Sequence, residues 1–200
     1  MHRDYYHRKL PHIQPLNGTF FVTYRLHGSL PLKIKQQLQE ELGVERERLK
    51  RQGNDSGDAI DTLNQRYFGR YDKLLDACCY GPTHLSIENI AQVVIDGLHH
   101  WDGNRIELLA YAVLSNHVHV VFTLPGDQTE TNQFNSLEKL MQSLKSFSGR
   151  KANELLKLAG KFWEEESYDR LVRDDGELIR IIRYVLDNPV KAGLCLRWQE

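Results

Sequence analysis

Two histidines stand two residues apart in the apolar segment that follows Asn116. In His117-Val118-His119 the period of a β-strand places both imidazoles on one face and Val118 on the other. Their ring nitrogens can therefore converge on one divalent cation from a rigid support. The His-x-His spacing is also common on half-exposed strands that bind nothing, so a metal site and a structural pair both stay open.

A tyrosine and an asparagine lie four residues apart near the end of the chain, so Tyr184 and Asn188 share one face of a predicted helix. The phenol is a potential nucleophile, and the amide oxygen is a potential neutral metal ligand. A boundary tyrosine more often only packs its ring, and Asn188 can simply cap the helix before Pro189, so both interpretations stay open. The opposite side of this helix is expected to face a core through Ile179, Ile182, Val185 and Leu186.

The elements that must position these residues follow an α+β pattern. Strand signals predict a strand over 18–26, a hairpin of 106–114 and 117–124 turning at Ser115-Asn116, and a strand-like segment within 162–173. Helical signals predict helices over about 33–50, 59–79, 86–98, 137–158 and 177–187. We therefore expect a ferredoxin-like antiparallel sheet with helices on one face. Because residues 28–100 are too many for one crossover, we expect a single domain over 1–200 with a helical insertion at about 28–100.

The composition indicates a globular protein but does not indicate which partner it binds. The chain has 200 residues, 40% of them apolar, and a net charge of −1. This is enough for a core, and it neither requires nor forbids DNA. No apolar run approaches the roughly 20 residues of a membrane-spanning helix, and no signal-peptide core opens the sequence. Cys78, Cys79 and Cys195 have no Cys-x-x-Cys spacing, which predicts a reduced, cytoplasmic protein.

Several segments, taken in order, resemble the REP-associated tyrosine transposases, a family of single-tyrosine HUH transposases. Residues 111–119 (YAVLSNHVH) resemble its NHVH hairpin, residues 162–174 the segment that follows, and residues 184–194 (YVLDNPVKAGL) its YI-x-NPVKAGL element. Residues 20–31 and 71–76 are similar to a longer subgroup with an enlarged helical region. Each motif alone is weak, but the ordered set covers most of the chain and is specific.

The resemblance implies an enzyme that cleaves and rejoins single-stranded DNA at hairpins through a 5′-phosphotyrosine and a free 3′-OH. It implies that Tyr184 is the nucleophile, with Tyr168 as the alternative. It also implies that His117, His119 and, as a third ligand, Asn188 bind Mg²⁺ or Mn²⁺, which polarises the phosphate. Many relatives carry a histidine where this chain has Arg170. An arginine can pair with phosphate there but cannot bind the metal.

Basic side chains in three regions are candidates for contacts with DNA phosphates, although solvated faces of amphipathic helices are the more ordinary explanation. They lie in the arm 1–12 and at Lys139, Lys145, Arg150, Arg170, Arg173, Arg180 and Arg183. Trp198 is expected to be buried rather than to stack on a base.

The expected partner is single-stranded or hairpin DNA, without a membrane, and the sequence fits a monomer and a homodimer equally. Two other functions stay open. One is a domesticated hairpin-binding protein that does not cut DNA, and the other is a metallohydrolase that uses the histidine pair on a small phosphoester.

Overall fold

The protein is described by a computed structural model that covers residues 5–7, 11–13, 17–125 and 136–198. It divides into two compact units, one containing the chain up to Leu26 and from His84 onward, and the other spanning His27–Thr83. The second unit shares residues 28–83 with the predicted insertion, and the helix that follows belongs to the first unit. In the N-terminal arm the structure describes two short paired strands, β1 (Tyr5–His7) and β2 (Pro11–Ile13). The arm side chains expected to contact DNA lie outside the description.

The first unit has the βαββαβ order of a ferredoxin-like fold, followed by one more helix. Its elements are β3 (Thr19–Arg25), α3 (Glu88–Trp101), β4 (Glu107–Val113), β5 (His117–Thr123), α4 (Leu137–Leu156), β6 (Tyr168–Leu171) and α5 (Asp175–Lys191). The strands form one sheet in the order β4-β5-β3-β6, and every pairing is antiparallel. The predicted α+β class, ferredoxin-like sheet and β4–β5 hairpin are therefore confirmed.

One face of this sheet forms the apolar core with α3 and α4. Alternate residues of β3 and β5 point into it and are fully or almost fully buried: Phe20, Val22, Tyr24, Val118, Val120 and Phe122. They meet helical residues at i, i+4 spacing, namely Ile90, Val94 and Leu98 of α3 and Leu137, Leu140, Met141 and Leu144 of α4. Because each such side chain contributes about 1.5–3 kcal/mol on burial, this face carries much of the stability of the unit.

The last helix lies on the other face of the sheet. The Tyr184 ring of α5 lies 6.1 Å from the Phe21 ring and 5.5 Å from the His119 ring, measured between centroids. Phe21 and His119 alternate with the core residues of their strands, so they point away from α3 and α4. The expectation of helices on one face is correct for α3 and α4 and wrong for α5, because the completed βαββαβ unit leaves its second face to be covered.

Helix α5 also continues past the residue where the sequence predicts its end. Pro189 lies inside the helix, where it removes one backbone donor without stopping the last turn. The backbone N–H of Leu194 donates to the Pro189 carbonyl at 2.9 Å, and Gly193, at φ 68°, ends the turn in the left-handed region. Asn188 is therefore a residue of the helix and not its cap.

The second unit is an αα-hairpin of α1 (Leu32–Arg51) and α2 (Gly57–Asp76). Ser56 caps α2 by accepting from the Ala59 N–H, and Arg46 donates to the Asn64 side chain at 2.7 Å between the helices. Both helices agree with the predicted ones within a few residues. Among the helices in the described ranges, none is long and apolar enough to cross a membrane.

Candidate functional site

The site face of the sheet, defined as the face covered by α5, holds the histidine pair. His117 and His119 are fully buried on β5, and their Nε2 atoms lie 3.1 Å apart. The turn at Ser115-Asn116 begins β5 directly at His117, so that both imidazoles stand on a rigid, fully paired strand. The structure thus brings the two predicted ring nitrogens together.

The other nitrogen of each imidazole is held by a neighbouring polar group. Nδ1 of His117 lies 2.7 Å from Oδ1 of Asn116, and Nδ1 of His119 lies 2.7 Å from Oγ1 of Thr23. The amide oxygen can only accept, so Nδ1 of His117 carries the proton and its Nε2 keeps a lone pair. The hydroxyl can donate or accept, so His119 can adopt either tautomer. Such orientation by outer groups is typical of metal-binding histidines.

These tautomers decide whether the pair fits a cation. With Thr23 donating, His119 carries its proton on Nε2 and satisfies His117, and no ion is required. With Thr23 accepting, two lone pairs face each other at 3.1 Å, an arrangement that a cation stabilises. Two nitrogens about 2.1 Å from one ion and at right angles to each other are about 3.0 Å apart, so the pair fits one shared divalent ion.

Burial keeps both imidazoles neutral, which is the form that binds metals. It lowers the pKa of His117 to about 3. The pKa of His119 is well below its usual value, mainly through burial and secondarily through the charge that His117 would carry.

Tyr184 packs directly against this pair. Its ring lies 5.5 Å from the His119 ring and 6.1 Å from the Phe21 ring, and Phe21 lies 5.6 Å from His119, so that three rings form one cluster. Nζ of Lys191 lies 6.0 Å from the centroid of the Tyr184 ring. The predicted nucleophile and the predicted metal ligands are therefore neighbours.

Asn188 lies one turn beyond Tyr184 on the same side of α5 and is only 3% exposed. Its Nδ2 has no hydrogen-bond partner among the described residues. A buried amide without a partner costs about 1–3 kcal/mol. Turning the amide by 180° places its carbonyl oxygen at the position of Nδ2. Oxygen is the ligand atom that Mg²⁺ and Mn²⁺ prefer. The residue fits a ligand role.

Tyr168, the alternative nucleophile, lies on β6 opposite Thr23, and thus on the same face of the sheet. Its ring is 6.3 Å from that of Phe21. Phe21 therefore contacts both candidate tyrosines, and Tyr184 has a ring contact with His119 in addition.

Arg170 and Lys145, both predicted to contact DNA, make side-chain hydrogen bonds within the protein. Nε of Arg170 donates to Oε1 of Glu177 at 2.7 Å, and Nζ of Lys145 donates to the carbonyls of Glu164 and Glu165 at 3.0 Å each. The other predicted side chains are exposed: Lys139, Arg150, Arg173, Arg180 and Arg183. Trp198 is 53% exposed, so the expectation of its burial is wrong.

Other polar residues of the site face were not singled out in the sequence. Arg25, opposite His117, is buried and pairs with Glu164 at 3.0 Å, and Thr23 and Glu177 are buried as well. The available signal is the alternation of β3, which places the polar residues Thr19, Thr23 and Arg25 on one face beside Phe21. In the second unit α2 carries a buried carboxyl, Asp72, whose pKa is raised to about 8 by burial and then by the charge of Asp76.

No family model matches the chain, and no curated protein matches it in sequence. Among solved structures, the chain is similar to that of a REP-associated tyrosine transposase bound to a REP hairpin, with 15% sequence identity and a TM-score of 0.49. The similarity covers 99% of this chain and 78% of the other.

Proposed function

We propose that the protein is a metal-dependent enzyme that nicks and joins single-stranded DNA at hairpins through Tyr184. The observation that carries the proposal is the packing of the Tyr184 ring on His119, whose Nε2 faces that of His117 at 3.1 Å. A nucleophilic hydroxyl beside a divalent-ion site is what attack on a phosphodiester requires. The substrate class comes from the motifs that resemble the REP-associated tyrosine transposases.

His117, His119 and Asn188 would hold Mg²⁺ or Mn²⁺, and the bound ion would stabilise the negative charge that builds up on the phosphate. The Tyr184 hydroxyl attacks phosphorus and loses its proton to solvent. The bond from phosphorus to the 3′ oxygen breaks, and that oxygen leaves as a 3′-OH after taking a proton. The bond energy is kept in the phosphotyrosine, so that a second 3′-OH can displace the tyrosine and join new ends.

A hairpin-binding protein that does not cut DNA is the second candidate. It is favoured by the complete burial of His117 and His119, because a phosphate reaches them only if the groups covering them move.

The test is incubation with an end-labelled single-stranded hairpin from repeats flanking the gene, with Mn²⁺ or Mg²⁺, followed by a denaturing gel. Wild type is expected to give a covalent protein–DNA adduct that Tyr184→Phe loses and Tyr168→Phe keeps. Loss in Tyr168→Phe alone moves the nucleophile to that residue. Tight binding without an adduct under either metal supports the second candidate. Turnover of a small phosphoester that survives Tyr184→Phe indicates a metallohydrolase.

A further inference from the structure

We infer that the buried ion pair between Arg170 of β6 and Glu177 of α5 positions Tyr184 against the histidine pair. The inference rests on the proposed function in that Tyr184 is taken as the nucleophile. In this inference Arg170 and Glu177 are positioning residues that act through Tyr184.

The carboxylate of Glu177 is engaged through both oxygens. Oε1 accepts from Nε of Arg170 at 2.7 Å and from Nη2 of the same guanidinium, and Oε2 accepts from the backbone N–H of Arg173 at 2.9 Å. The side chains of Arg170 and Glu177 are only 11% and 10% exposed. The backbone N–H of Glu177 donates in turn to Oδ1 of Asp174, the N-cap of α5. The Glu177 side chain therefore connects the first turn of α5 to the end of β6 and to the loop between them.

The pair acts on the same side of α5 that carries the site. Glu177 and Tyr184 are seven residues apart, which is two turns and about 10 Å along the helix. On the sheet, Arg170 lies opposite Phe21, whose ring contacts Tyr184. The ion pair and the Phe21–Tyr184 contact are therefore successive attachments of one helix to one sheet face.

Glu177 is the most deeply buried side chain described at the beginning of α5. The buried residues of α5 are Glu177, Val185 and Asn188, and Ile179 is 58% exposed. The apolar side chains Leu178 and Ile181 of the first two turns are only partly buried. A buried ion pair adds little stability over apolar residues of the same size. The two guanidinium donors that converge on Oε1 of Glu177 nevertheless favour one orientation of the pair. This combination fits a role in setting where α5 lies rather than in holding the fold together.

The expected consequence is a loss of rate without a loss of binding. A displacement of about 1 Å at a reacting group can cost about 100-fold in rate. Glu177→Gln keeps the size of the side chain and removes its charge. We expect the single-turnover rate of adduct formation at saturating hairpin and Mn²⁺ to fall by about 10- to 100-fold, with the hairpin Kd changed by less than about twofold. Glu154→Gln, which removes the exposed ion pair with Lys151, is the matched control and should change neither value.

A double variant separates positioning from stability. Arg170→Met with Glu177→Leu replaces the pair by apolar side chains, and we expect a Tm close to that of wild type. The rate should stay at least about 10-fold low because the directional contact is gone. Arg170→Lys, which keeps the charge but not the fork, should recover part of the rate that Arg170→Met loses. Wild-type rate in the double variant would overturn the inference.

Amide hydrogen exchange of the full-length protein without DNA tests the positioning of α5 without any measurement of catalysis. Glu177→Gln should speed exchange at the amides of 178–184 and leave α3 and β5 unchanged. Faster exchange throughout the sheet overturns the inference, because the pair then only stabilises the fold. If wild type forms no adduct but the exchange change is confined to α5, the proposed function fails while the positioning of α5 is supported. If wild type forms no adduct and exchange is unchanged, both fail.

Discussion

The two faces of the four-stranded sheet are both buried, yet they are made of different residues. On β3 the residues facing α3 and α4 are Phe20, Val22 and Tyr24, whereas those facing the other way are Phe21, Thr23 and Arg25. On β5 the same alternation places Val118 and Val120 on the core side and the two histidines on the site face. Burying polar groups costs free energy unless each one is partnered. The polar residues of the site face therefore indicate a functional role rather than a contribution to stability.

The partners on the site face are specific ones. Arg25 pairs with Glu164, Arg170 with Glu177, His117 with Asn116, and His119 with Thr23. Buried ionisable groups gathered beside the proposed nucleophile, Tyr184, are typical of functional sites. Burial of apolar side chains on the core face thus stabilises the unit, and this stability compensates for the cost of burying polar groups on the site face.

The strongest test of a functional role for the site face is the removal of a predicted metal ligand. His119→Ala should lower the affinity for Mn²⁺ by at least about 100-fold, since one of two facing nitrogens is lost. Calorimetric or electron-paramagnetic titration of the metal measures it. His99→Ala, which removes an exposed histidine bonded to the Tyr111 hydroxyl, is the control. Equal Mn²⁺ affinity in wild type and His119→Ala would exclude the site.

Neighbouring phenylalanines on β3 test the two faces directly. Phe20→Ala should lower the free energy of unfolding by about 3–5 kcal/mol through a core cavity and leave the adduct rate of the folded protein unchanged. Phe21→Ala should destabilise the protein and also lower that rate, because its ring contacts His119, Tyr168 and Tyr184. Denaturant unfolding and single-turnover assays measure the two effects. Equal rate losses in both variants would show that the faces are not functionally distinct.

A smaller effect is expected one contact away from the metal. Thr23→Val keeps the shape of the side chain and removes the hydrogen bond to Nδ1 of His119. Loss of such an outer partner typically costs 10- to 100-fold in metal affinity, and we expect about 10-fold in a Mn²⁺ titration. Thr19→Val removes the bond to Thr123 at the other end of the same strand and should leave the affinity unchanged. A similar loss in both variants would indicate a general weakening of the sheet.

The sequence predicted correctly those elements that depend on residues close together in the chain. The hairpin and the histidine pair follow from strand alternation and a two-residue turn, and they agree with β4 and β5. The side of α5 that faces the sheet did not follow from periodicity. Ile179 was expected to face a core and is exposed, whereas Asn188 is buried. The side chains of Glu177 and Arg170 are largely withdrawn from solvent because they pair with each other. The sequence of neither segment alone indicates such a contact between distant residues.

The smallest expected effect distinguishes two buried asparagines near the histidine pair, Asn188 of α5 and Asn116 of the turn before β5. Asn188→Leu removes an amide whose nitrogen has no partner among the described residues, so we expect the free energy of unfolding to change by less than about 1 kcal/mol or to rise. Asn116→Leu removes the acceptor of His117 Nδ1 and should cost about 1–3 kcal/mol, since a buried donor is left unsatisfied. Denaturant unfolding without metal measures both. Mn²⁺ affinity should nevertheless fall in Asn188→Leu, because an amide kept at a cost to stability is explained by a ligand that it binds. Unchanged affinity would remove Asn188 from the ligand set and leave the histidine pair in place.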